Sequence, residues 1–118
     1  MTLDALRLWF SSRGFEVTAV QTERDARRAV RCSPPDALLT DWSLGDDGST
    51  AESTIRDIRR RSRETPVIVL TGAAQEEVLA NLAPDALPTR ILEKPVPARE
   101  LERLLVDALD RARQTHDR

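Results

Sequence analysis

The chain holds one cysteine, Cys32, no tyrosine, and only two Trp and two Phe. A single thiol closes no internal disulfide and builds no cysteine-based metal cluster. A reducing compartment, and so the cytoplasm, is the expected location. So few aromatics leave no base-stacking surface, and a net charge of −2 exerts no overall pull on nucleic acid. No apolar run reaches the length of a membrane span, and Met1-Thr2-Leu3-Asp4 lacks the basic-then-apolar order of a signal peptide. Lysine is almost missing as well: Lys94 is the only one, and every other cationic side chain is arginine.

What remains is an ordinary soluble composition, 40 % hydrophobic and 32 % charged over 118 residues, enough for one core. Leu3, Leu6 and Phe10 follow helical spacing, and Gly14 is a natural stop. Phe15 to Val20 alternates like a strand with one exposed side or edge. Thr22 suits an N-cap for a helix that Ser33-Pro34-Pro35 breaks. Ser49 or Thr50 caps a helix carrying Ile55 and Ile58 on its inner face. Gln75 to Leu82 is a short helix, and Pro97 and Ala98 open a last one with Leu101, Leu104, Leu105 and Ala108 on one face. A single domain spans residues 1–113, and 114–118 reads as a frayed tail. The basic stretch Arg56 to Glu64 reads as a solvated helix end, where cations suit the helix dipole. Trp9 reads as core, and Trp42 as either packing or a lid; Cys32 and His116 carry no assigned chemistry.

Three nearly unbroken apolar runs end in different polar residues: Ala37 to Asp41, Pro66 to Thr71, and Arg90-Ile91-Leu92 followed by Glu93-Lys94-Pro95. Such runs are strands buried on both faces of a parallel sheet. Strands alternating with helices give the order α-β-α-β-α-β-α-β-α with right-handed crossovers. Ligands of such sheets bind outside the carboxyl ends of the strands. If the three strands are neighbours, a carboxylate, a hydroxyl and an ammonium converge on one edge. That set suits a carboxylate that accepts a phosphoryl group, with Thr71 and Lys94 to hold the phosphoryl oxygens.

With Leu38 to Leu44, Asp47-Gly48, Thr65 to Gly72 and Leu92-Glu93-Lys94-Pro95 in this order, nearly the whole chain resembles a CheY-like receiver domain of a bacterial two-component system. The resemblance implies a three-layer α/β/α sandwich with a CheY/flavodoxin-like parallel sheet. It implies that Asp41 takes a phosphoryl group from a histidine kinase or phosphotransfer protein, that Thr71 and Lys94 bind it, and that the bond before Pro95 is cis. Mg²⁺ would be held by Asp41, the Ser43 backbone carbonyl and an acidic pair. The module would be a switch for a downstream protein partner, not an enzyme, with no membrane or direct nucleic-acid role.

The sequence departs from that pattern at its amino end. The family's central first strand, which closes in two acidic residues, has no counterpart from Met1 onward. Asp4 lies too far into the helix to replace the pair, and Asp46 and Asp47 read as turn-formers. Mg²⁺ binding is therefore expected to be weak or absent. The alternative is a degenerate receiver that binds a partner without phosphorylation. The position of the family's switch aromatic holds Ile91, and the loop before Gly48 is one residue short. A haloacid-dehalogenase-like phosphatase is the remote third reading, but its second aspartate would fall on Ser43. A sheet missing its central strand has open edges, so a homodimer or poor solubility is expected, with Leu101, Leu105 and Leu109 as a second dimer surface.

Overall fold

β2 (Val67–Thr71) is buried along its whole length and organises everything else. It pairs in parallel with β1 (Leu38–Asp41) on one side and β3 (Arg90–Glu93) on the other, giving the order β1-β2-β3. In this computed structural model the described residues are 2–44 and 48–116, so Asp46 and Asp47, read as turn-formers, lie outside them. The helices are α1 (Leu3–Ser12), α2 (Glu23–Cys32), α3 (Glu52–Arg61), α4 (Gln75–Ala80) and α5 (Ala98–His116), with a 3-10 turn at Pro84–Ala86. The last helix runs to His116, so it takes in the first residues of the segment 114–118 read as a frayed tail.

Side chains of a strand alternate between faces, and β2 divides its load accordingly. Val67 and Val69 pack with Val30 of α2, Ile55 and Ile58 of α3, and Val78 of α4. Ile68 and Leu70 pack with Phe10 of α1 and Leu101, Leu104 and Leu105 of α5. Two cores on opposite faces of one parallel sheet make a three-layer α/β/α sandwich of the CheY-like class. Each fully buried aliphatic side chain contributes roughly 1.5–3 kcal/mol. Leu101 and Leu105 are 1 % and 7 % exposed in this core, and Leu109 packs against it. Leu101 and Leu105 are therefore taken up by this core rather than free for a second copy as expected above, while Leu109 is half-buried.

Local signals act as the sequence suggests. Thr2 and Thr22 cap α1 and α2, each hydroxyl accepting a backbone N–H at 3.1 Å. Gly14 adopts φ +93°, a left-handed turn that ends α1 without steric cost. Thr50 accepts the Glu52 N–H at 3.3 Å, although Ala51 is the capping residue of α3.

Phe15 to Val20 is a correction. The segment is not a strand. Phe15 and Val17 bury themselves against the α1–α5 core, but the sheet ends at β1, so their backbone finds no ladder. The amides of Leu38, in β1, and of Trp42, directly after it, donate to Pro66 and Leu70 of the β2 side at 2.9 and 2.8 Å. Backbone groups alternate in direction along a parallel strand, so Leu39 and Asp41 turn theirs to the open side. β1 is accordingly only half-buried where β2 is fully so.

The basic stretch at the end of α3 is also more than a solvated helix end. Arg59 donates to the carbonyls of Leu87 at 2.9 Å and Thr65 at 2.7 Å, and reaches Thr89 Oγ1 at 3.4 Å. Burial pushes its guanidinium pKa down, yet these bonds hold it between the two segments that enter β2 and β3. Thr89 in turn accepts the Val67 N–H at 3.0 Å. Arg59→Met keeps the packing and deletes the bonds. It is expected to lower stability by about 2 kcal/mol, the range for hydrogen bonds from a charged donor, read as a lowered midpoint of urea unfolding. Asp57, buried on α3, meets Arg27 Nε of α2 at 2.9 Å and Arg31 Nη2 at 3.7 Å. The hydrogen bond to Asp57, followed by its charge, raises the Arg27 pKa.

Candidate functional site

Asp41 is the last residue of β1 and Thr71 the last of β2. The register pairs Asp41 with Leu70 and Thr71 with Glu93, so Thr71 stands one rung beyond Asp41 on the adjacent strand. Lys94 follows β3 directly. Its N–H donates to the Thr71 carbonyl at 2.7 Å, and the Lys94–Pro95 peptide is cis. The ladder thus continues one residue past β3 before the chain turns, and the lysine stem is set over the same edge. Lys94 Nζ lies 2.8 Å from Asp41 Oδ1, spanning β2 to do so. The side chains are 47 % and 51 % exposed, so both groups are open to a partner from solvent.

Thr71 differs from them, being buried at 4 % exposure. Its Oγ1 accepts the Ala73 N–H at 2.9 Å, which leaves the hydroxyl proton free to donate. Carboxylate, ammonium and hydroxyl thus meet on the carboxyl edge of the sheet. Pro95 forms the cis bond expected of it. Trp42, the residue after Asp41, is half-buried and packs against the α2–α3 core, so its packing role is seen. Trp9 is only half-buried: Nε1 donates to Glu102 at 3.0 Å, and the Arg13 guanidinium carbon lies 4.2 Å from the ring centroid.

The loop after Asp41 is tied back by a pairing that sequence reading missed. Ser43 and Thr50 form an antiparallel bridge. The Trp42 carbonyl accepts the Ala51 N–H at 2.9 Å, and the Leu44 N–H donates to Ser49 at 2.8 Å. No side-chain pattern announces a backbone pairing of this kind.

A Mg²⁺ ion takes near-octahedral oxygen ligands, usually carboxylates and waters. Among the described residues, no group of three His, Cys, Asp or Glu is placed to hold a metal ion. Asp41 is a single carboxylate with one oxygen already paired to Lys94. With the Ser43 carbonyl as the only other expected ligand, this donor set does not fit a metal centre by itself. No helix among the described residues is long and apolar enough to cross a membrane.

Solved structures of similar shape include receiver domains. A CheY-like response regulator receiver domain protein from Methanospirillum hungatei superposes with TM-score 0.81 at 20 % identity, covering 96 % of this chain and 88 % of that one. A response regulator receiver protein from Sinorhizobium medicae gives 0.79 at 22 %, covering 93 % and 86 %. The receiver domain of the sensor histidine kinase PA1611 from Pseudomonas aeruginosa, solved with a magnesium ion in its active site cleft, gives 0.75 at 28 %, covering 91 % and 87 %. No curated protein is significantly similar in sequence. The profile of the response regulator receiver domain matches residues 1–106, most of the chain, and the chain belongs to that family.

Proposed function

We propose that this receiver domain is a phosphoacceptor switch in which Asp41 takes a phosphoryl group from the phosphohistidine of a histidine kinase or phosphotransfer protein. The observation that carries the reading is the 2.8 Å pair of Lys94 and Asp41 beside the Thr71 hydroxyl, all on one sheet edge. An Asp41 carboxylate oxygen attacks phosphorus, the P–N bond of the donor breaks, and its electron pair returns to the imidazole. The product is an acyl phosphate on Asp41. Lys94 then serves the phosphoryl oxygens as a point charge, and the free proton of Thr71 donates to one of them. Phosphoryl transfer of this kind rests on positioning and charge neutralisation rather than on covalent chemistry by the protein. The module carries no catalytic task of its own in this scheme. It changes what a downstream protein partner binds.

The second reading, a degenerate receiver that works without phosphorylation, is favoured by one observation: among the described residues, no group of three His, Cys, Asp or Glu is placed to hold Mg²⁺. Weak or absent Mg²⁺ binding follows from the same donor set. Incubation with acetyl phosphate, followed by borohydride reduction and peptide mass spectrometry, separates the two. Reduction of a small fraction of the chain, all of it at Asp41, is the expected result; a chain unmodified at Asp41 at every Mg²⁺ concentration leaves the degenerate receiver.

A further inference from the structure

We infer that the exposed face of α2 and α3 is a docking surface for an acidic protein segment, separate from the phosphoacceptor edge. α2 carries Arg24, Arg27, Arg28 and Arg31 against two acids, Glu23 and Asp25. Their spacing of three and four residues places all four arginines on neighbouring positions of one helical stripe. The stretch from Glu52 to Glu64 adds Arg56, Arg59, Arg60, Arg61 and Arg63 against three acids. The two helices hold this excess of cations while the chain as a whole carries −2, so the rest of the surface is acidic and the face is strongly polarised.

The structure joins the two rows. Asp57 of α3 receives both Arg27 and Arg31, and Arg61 Nη2 donates to the Arg31 carbonyl at 3.3 Å. One buried carboxylate shared between two guanidiniums leaves positive charge in excess. Arg24, Arg28 and Arg60 are exposed, and among the described residues no carboxylate comes within ion-pair distance of them. Asp57 compensates Arg27 and Arg31, and Glu52 and Asp85 compensate Arg56, but Arg24 and Arg28 are like charges four apart on α2, an arrangement that weakens a helix. Such a face costs the free protein stability, and an anionic occupant offsets that cost. Glu23, Arg24, Arg27 and Arg31 also line a shallow open recess of ≈ 290 Å³ on this ridge.

The chemistry favours carboxylates. The planar guanidinium fork matches a carboxylate in two parallel bonds. Neither helix contains an aromatic residue, so nothing on the face stacks on bases. Ten residues of α2 span about 15 Å, the reach of a short acidic helix or extended segment.

A fluorescently labelled oligo-glutamate peptide is the probe, read by anisotropy at low and moderate salt. The wild-type chain is expected to bind it with affinity that falls as salt rises. The R24E/R28E/R60E variant, which removes no ion pair of the fold, is expected to bind at least about tenfold more weakly, since like charges across an interface are costly. Its thermal melt should lie no lower than that of the wild type, so a loss is not one of folding. The R99E/R103E variant on α5 is the control and should bind as the wild type does. Equal affinity of wild type and triple variant overturns the inference, as does an equal loss in the control. A short duplex DNA bound as tightly as the peptide at the same salt also overturns it.

Discussion

Adding a strand that ends in Asp-Asp ahead of Met1 is expected to raise phosphoryl labelling from acetyl phosphate in Mg²⁺ by about a hundredfold, the low end for one preorganised group that stabilises developing charge. The chain as it stands should label poorly. Asp41 is one carboxylate where a Mg²⁺ site needs several oxygens, and Lys94 already holds one of them. Two further carboxylates beside β1 would supply the missing ligands. Asp41→Asn in the extended chain should abolish the labelling, because the nucleophile is gone while the fold is unchanged. The same extension should alter assembly. Light scattering is expected to show the unextended chain self-associating through the free edge of β1 and the extended one monomeric, since pairing removes the exposed edge that recruits other chains. Efficient labelling of the unextended chain would show that the absent carboxylates matter less than the Lys94–Asp41 pair.

Ile68→Ala is expected to cost 2–5 kcal/mol, about the range for removing a buried aliphatic side chain and leaving a cavity. Ile68 is fully buried, at 0 % exposure, and packs from β2 against α1 and α5. A strand held on both sides by ladders has little freedom to collapse into the space. Domains of this size have roughly 5–15 kcal/mol in total, so the urea midpoint should fall steeply. Leu8, on α1 and 60 % exposed, is the control: Leu8→Ala should move the midpoint little. A small loss at Ile68 would mean that α1 and α5 close inward and refill the cavity.

β2 was legible because burial on both faces writes an unbroken apolar run; β1 and β3 are less buried than that reading expects, but their short apolar runs and polar ends still mark the edge where ligands bind. Asp41, Thr71 and Lys94 could be read from that pattern. Phe15 to Val20 shows the limit. Alternation reports which side chains are covered, and Phe15 and Val17 are indeed covered. Pairing is a property of the neighbouring backbone, which this segment lacks. Arg59 and Asp57 were hidden for a different reason. A charge inside a basic run looks solvated until the fold shows what stands opposite, here the Leu87 and Thr65 carbonyls and two guanidiniums from α2. The leucines of α5 fit the helical period equally well as core or as interface, and only the placement of β2 decides for the core.

The Thr71 hydroxyl also determines how an event at the edge would travel. It accepts the Ala73 N–H, and Ala73 lies two residues before the first turn of α4. An oxygen that draws the hydroxyl toward Asp41 therefore tugs on the main chain of that short helix's leader. In many switches a ring swings to fill the space vacated by such a movement. Ile91, buried and branched at Cβ, sits in the corresponding place and has few rotamers to exchange. Under the proposed switch, the connection from the edge to α4 is this hydrogen bond, donated by the Ala73 N–H, rather than a swinging ring.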